Sequence, residues 1–164
     1  MTDHHIDQFR SPTFGILDLS GVVDQALVFI KNEKNSHFRV VVGTDSELLT
    51  KGVAHFVSAV VIHHVGHGGI YFWGQVTREG MKDLRQRMYE EATYSLSLAQ
   101  RLLEEFRKRN LPLEKFLEIH VDVGMGGETK VMIAEIVGMI KGSGFLCKTK
   151  PDSFAASNVA DRHT

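Results

Sequence analysis

Cysteine is nearly missing from this chain. Cys147 stands alone, so no internal disulfide framework is available, and a lone thiol fits a reducing cytoplasm. Long hydrophobic runs are missing too, which excludes a membrane-spanning helix. The chain opens MTDHHIDQF, with no apolar leader, so a cytoplasmic protein is expected. Net charge is close to absent. Nineteen Lys and Arg against 20 Asp and Glu leave −1 at pH 7. No global field therefore draws in nucleic acid, and any basic surface is local. Repeats, low-complexity tracts and Pro- or Ser-rich linkers are absent. The 164 residues read as an N-terminal extension with a short helix, 1–37, and one domain over 38–164.

What is present has a clear period. Residues 1–18 are polar and aperiodic and are expected to drape or fray. Val22, Val23, Ala26, Leu27 and Ile30 predict a helix from about Gly21 to Glu33, with Ser20 as its cap. Three strands are expected next, over Phe38–Thr44, Val53–Val65 and Ile70–Val76, and their short loops imply an antiparallel meander. A long helix follows, Leu84–Arg109, broken by Leu111-Pro112. Then come a strand over Phe116–Val123, a helix over Glu128–Lys141 and a strand over Phe145–Lys150. Asp152 or Ser153 can cap a terminal helix. Helical crossovers make the last two strands parallel. The expected fold is α/β: a five-stranded mixed sheet, three antiparallel strands then two parallel, flanked by helices.

Four acidic residues stand out on this frame. Asp45 ends the apolar run VVVGTDSE, and Asp122 ends EIHVDVG. If those strands are neighbours, both carboxylates emerge at the same end of the sheet, where ligand sites collect. On the long helix, about 100° per residue puts Glu91 within the stripe of Leu84, Met88, Ser95 and Leu102 and turns Glu90 toward solvent. A carboxylate on a buried stripe is costly unless paired or bound to metal. Asp161 lies on the terminal helix, in FAASNVADRH. Strand-end carboxylates joined by a helix that supplies another suit hard divalent cations and phosphodiester chemistry. Other readings stay open. Asp45 can be a turn aspartate bonding its own backbone, Glu91 can pair with Arg87, and Asp122 can sit on a solvated strand face with Glu118 and His120.

Element order and acid placement resemble the ribonuclease H-like fold. The wording VVVGTDS, HVDVG and KPDSFAASNVADRHT resembles the YkuK family, small bacterial proteins classed within that fold. The resemblance covers about residues 38–164. It implies that Asp45, Glu91, Asp122 and Asp161 hold two Mg²⁺ or Mn²⁺ ions about 4 Å apart and hydrolyse nucleic-acid phosphodiesters. The fold also hosts other chemistries. A catalytically silent nucleic-acid-binding or regulatory module, or a hydrolase of small phosphate esters, remains an alternative.

Three further groups need placing. Arg78, Lys82, Arg85 and Arg87 gather where the long helix begins, and Arg162 follows Asp161. Together they are the expected contacts to a phosphate backbone, RNA or DNA. The run Gly124-Met125-Gly126-Gly127-Glu128-Thr129-Lys130 can cradle a phosphate or simply open a helix. The histidines, among them His63, His64 and His67, match no structural zinc spacing and are expected at the surface, with Trp73 and Tyr71 in strand packing.

Overall fold

The computed structural model describes residues 3–32, 37–114, 116–122, 130–149 and His163. Seven strands make one sheet: β1 (Phe9–Ser11), β2 (Gly15–Leu17), β3 (Phe38–Thr50), β4 (Val53–His64), β5 (Gly68–Glu79), β6 (Leu117–Val121) and β7 (Leu146–Thr149). Three helices join them: α1 (Leu19–Lys31), α2 (Leu84–Lys108) and α3 (Lys130–Gly142). The strand order is β2-β1-β5-β4-β3-β6-β7. The meander β3–β4–β5 is antiparallel, and β6 and β7 add in parallel after crossovers through α2 and α3.

The sheet has seven strands where five were expected. The extra pair is the β1–β2 hairpin, added antiparallel to β5 through Arg10↔Trp73. Strands of three residues show no readable alternation, so a polar stretch hid them. Local chemistry closes the hairpin. The Ser11 hydroxyl accepts from the amides of Thr13 (3.3 Å) and Phe14 (3.4 Å), and Gly15 takes the left-handed φ of 73°. Phe9 then sinks fully into the core. The helix α1 begins two residues earlier than expected, because Asp18, not Ser20, caps it by accepting from the Gly21 amide at 2.8 Å.

Two of the meander strands, β3 and β5, are longer than their apolar runs, whereas β4 matches its run to within one residue. The polar stretch after Thr44 reads as a strand end, yet β4 pairs β3 residue for residue through Asp45↔Val57 and Ser46↔Phe56. At the other end of the meander, Gly66 and Gly68 adopt positive φ in the β4–β5 turn. The helix α2 starts where expected, with Asp83 accepting from the Gln86 amide at 2.8 Å. It stops at Asn110, whose φ of 61° is left-handed.

The two faces of the sheet differ. One carries Val40, Val42, Phe56, Val60 and Phe72 against the three helices, and this is the main core. Leu98, Leu102 and Phe106 supply the α2 side of it. The other face carries a smaller patch of Val41, Val57, Ala59 and Val61, flanked by Tyr71 and Trp73. His163 stacks on Trp73, with ring centroids 4.1 Å apart.

Gly74 locks the N-terminal segment to this frame. A Cβ there would lie 2.3 Å from Ile6 Cγ2 and 2.7 Å from the Gln8 carbonyl oxygen. The second atom is backbone and cannot swing aside. Gly74→Ala should therefore cost about 1–3 kcal/mol by overpacking and loosen residues 3–11 first. Thermal melting and limited proteolysis check this; an unchanged melting point with an intact N-terminus would refute it.

Candidate functional site

Strand register brings the two aspartates level. The β3–β6 ladder runs Val40↔Leu117, Val41↔Glu118, Val42↔Ile119 and Gly43↔His120. Two residues further along each chain are Asp45 and Asp122. Alternation puts both on the face that carries Val41 and Gly43, opposite the helices. The β3–β6 ladder ends at Gly43↔His120 while β3 continues with β4, which leaves a gap in the pairing where these acids lie. Asp45 and Asp122 are half-buried there. The Asp45 Oδ1 accepts from the Ser46 amide at 2.9 Å. That bond resembles the turn-aspartate reading, but the backbone around it is strand.

Glu91 reaches the gap from α2. Its Oε1 accepts a hydrogen bond from Ser46 Oγ at 2.5 Å. Burial pushes its carboxyl pKa up to about 8. The Ser46 bond and the Arg87 charge pull the other way, while Asp45 and Asp122 each push it higher. The three acids therefore feel one another electrostatically, and neutral Glu91 is the favoured form at pH 7 in the metal-free protein. Among the described residues, no group of three or more His, Cys, Asp or Glu side chains converges closely enough to hold one metal ion. The donor chemistry, hard carboxylate oxygens, nonetheless fits a hard divalent cation.

Ser46 was not among the expected site residues, and neither was the hydroxyl set beneath it. Ser95 Oγ donates to Thr44 Oγ1 at 2.9 Å, and Thr44 Oγ1 lies 2.8 Å from Ser58 Oγ, all buried. Glu91 and Ser95 are one turn apart on α2, above Ser46 and Thr44 on β3. The signal was parity: Thr44 and Ser46 continue the core-facing row of Phe38, Val40 and Val42.

The neighbouring glutamate corrects an expectation. Glu90 is not a solvated acid. Its side chain is only 18% exposed and pairs with His4 Nε2. The His4 ring also stands edge-on to Tyr94, and Arg78 Nη1 donates to the Tyr94 hydroxyl at 3.0 Å. Residues 3–8 cover this side of α2, held also by Arg101 bonding the Ile6 carbonyl (2.8 Å) and Asp7 (2.9 Å). Packing between distant segments decided this, and helical phase alone does not see it.

The basic residues are unevenly placed. Lys82 and Arg85 are exposed, with Arg85 bonded to Glu135 (3.2 Å) and lying over the Tyr89 ring. Arg87 sits beside Glu91 without hydrogen-bonding it through Nε, which is buried and has no hydrogen-bond partner among the described residues. Asp161, Arg162 and the loop Gly124–Thr129 lie outside the described residues, as does the expected terminal helix. Lys130 opens α3.

Histidine placement also departs from expectation. His4 is largely buried, His64 is buried between Phe38 and His67, and His120 is 1% exposed. His120 Nε2 lies 2.8 Å from Glu118 Oε1, with Lys148 at 3.5 Å and Arg39 at 3.9 Å from the same carboxylate. Burial alone would raise the Glu118 pKa, but these three neighbours hold it below its ordinary value. The polar face of β6 is thus buried and paired, not solvated.

Order β5-β4-β3-β6-β7, with Asp45 on the central strand, Asp122 just past its parallel neighbour and Glu91 on the connecting helix, narrows the comparison. The family model described as Ribonuclease H-like matches residues 21–164. The chain belongs to the ribonuclease H-like family. The family match begins within α1, so the β1–β2 hairpin precedes it. The chain is also similar to the uncharacterized protein YkuK of Bacillus subtilis (strain 168), at 28% identity over 156 residues, 87% of this chain and 88% of the relative. No solved structure matches. Among the described residues, no helix of this ribonuclease H-like chain is long and apolar enough to cross a membrane.

Proposed function

We propose that this domain is a metal-dependent phosphodiesterase acting on nucleic acid, with Asp45, Glu91, Asp122 and Asp161 as ligands of two Mg²⁺ or Mn²⁺ ions. The observation that carries the reading is Glu91. A fold that sinks a carboxyl beside two aspartates, until its pKa reaches about 8, bears a cost that a bound cation would relieve. Bound divalent cations supply a more acidic water and neutralise charge on the leaving oxygen. The chain's own residues do the rest. Ser46 holds the Glu91 carboxyl in one orientation by donating to Oε1. Glu91 would have to give up its proton to ligate a cation. Arg87 balances part of the negative charge and, with Lys82, Arg85, Arg78 and Arg162, is assigned to the phosphate backbone.

One observation favours a second reading. Arg78 is committed to Tyr94 and Arg85 to Glu135, and net charge is −1, so the field for a long polyanion is weak. A small phosphate ester, or a binding module without turnover, needs less. The test is a cleavage panel of RNA, DNA, hybrid and branched substrates with Mg²⁺ or Mn²⁺. Metal-dependent cleavage of any of them is expected. Metal binding with no cleavage of any nucleic acid, but turnover of a small phosphate ester, would replace this reading.

A further inference from the structure

A cleft of about 320 Å³ lies away from the carboxylates, at the edge where β1 meets β5. Its walls include Arg10, Trp73, Gln75, His5 and Asp7. We infer that this cleft is a subsite for one nucleobase of a single strand. The inference rests on the nucleic-acid reading for its biological sense, though not for its chemistry.

Three side chains make the case. Trp73 is half-buried on β5 and presents a flat ring. His163 already lies on that ring nearly parallel, at 4.1 Å and 12°, so the indole accepts a planar partner. A base entering the cleft extends or replaces that stack. Arg10 is exposed, its guanidinium 5.6 Å from the indole centroid, and it makes no ion pair among the described residues. A planar cation beside an aromatic ring is what single-stranded sites use to hold bases without reading sequence. Gln75 adds an amide, with donor and acceptor, held in place by His55 at 3.0 Å. The volume is at the low end for ligand sites and suits one nucleoside. Asp7 in the wall, although bound to Arg101, disfavours a phosphate as the occupant, so a base is the better fit.

Register ties the cleft to the carboxylates. Asp45 pairs Val57, and Val57 pairs Gln75, so Gln75 sits level with Asp45 on the same face, two strands away. Two steps at about 4.8 Å separate them by roughly 10 Å. Trp73 stands one alternation back, level with Gly43 and Ala59, and Arg10 pairs directly with it. The intervening Val57 and Ala59 are buried, so the cleft and the carboxylates share one face of the sheet with an apolar patch between them.

Trp73 is the chain's one tryptophan, so its emission reports this cleft alone. The whole protein is titrated with nucleoside monophosphates and with a labelled single-stranded oligonucleotide, following tryptophan emission and label anisotropy together, and cleavage separately. Saturable quenching is expected with both ligands. Arg10→Ala should weaken it about tenfold with an unchanged melting point, and Trp73→Phe should weaken oligonucleotide binding less than Trp73→Leu. Oligonucleotide binding that leaves the emission unchanged, and affinity that survives both Arg10→Ala and Trp73→Leu, would overturn the subsite while leaving the nuclease reading intact. Absence of quenching by any nucleotide or oligonucleotide overturns it as well. Quenching by mononucleotides without cleavage of any substrate would uphold the subsite and sink the nuclease.

Discussion

If the proposed cation site is real, Glu91→Gln is expected to abolish metal-dependent turnover and to weaken divalent-cation binding by more than the ~10–100-fold typical of losing an outer-shell partner. The same substitution should leave the metal-free protein at least as stable as before. Both halves follow from one feature: burial, with the charges of Asp45 and Asp122 adding to it, raises the Glu91 carboxyl pKa to about 8 and favours its protonated form at neutral pH. Gln copies that neutral form and can still accept from Ser46 Oγ. It cannot take a negative charge, and that charge is what a cation requires. Glu90→Gln shows the reverse pattern. It weakens the pairing with His4 and so costs about 1–2 kcal/mol, while metal response persists. Calorimetric titration with Mn²⁺ and melting curves with and without metal separate the two. A Glu90 variant that loses metal response, beside a Glu91 variant that keeps it, would remove Glu91 from the site.

That contrast shows how much of the site could be read from residues alone. Period and parity are local, and they carried the main arguments. Helical phase pointed Glu91 inward. The register of two parallel strands then brought Asp45 and Asp122 to one face at one level, as adjacency of β3 and β6 required. What escaped the sequence depends on segments far apart in the chain. Glu90 looked solvated because nothing local says that residues 3–8 will lie over it. The hairpin at the β5 edge is too short to show a period, and its anchor is the burial of Phe9. The strand β3 runs past Asp45 because β4 pairs it, although TDSE alone reads as an ending. Ser46 mattered for a reason that is visible only once β3 is known to continue: it faces α2 where Asp45 faces away.

Raising the pH from about 4.5 to about 8 should remove the Glu91 contribution to the stability of the metal-free protein, and Mn²⁺ or Mg²⁺ should offset that loss if the proposed site binds them. The sign follows from proton uptake. Unfolded Glu91 titrates at its ordinary value of 4.5, folded Glu91 at about 8, so in this window the native state holds the extra proton. Its stabilising share is complete below the unfolded value and is lost as pH climbs through the folded one. The slope approaches about −1.4 kcal/mol per pH unit at most. Glu118 acts oppositely, since its pKa is lowered, but its stabilising share is lost only as pH falls through that lowered value, outside this window. To isolate Glu91, the measured quantity is a difference: urea unfolding of the native sequence minus that of Glu91→Gln at each pH. Contributions common to both proteins cancel in the subtraction. A bound cation would compete with the proton, so binding near pH 7 should release one, and affinity should climb with pH until about 8 and then level. With saturating metal the difference should turn in favour of the native sequence, because only it gains the binding free energy. Parallel stability curves for the two proteins, with metal affinity independent of pH, would mean that Glu91 is an ordinary surface acid and that the carboxylate gap between β3 and β6 is not a cation site.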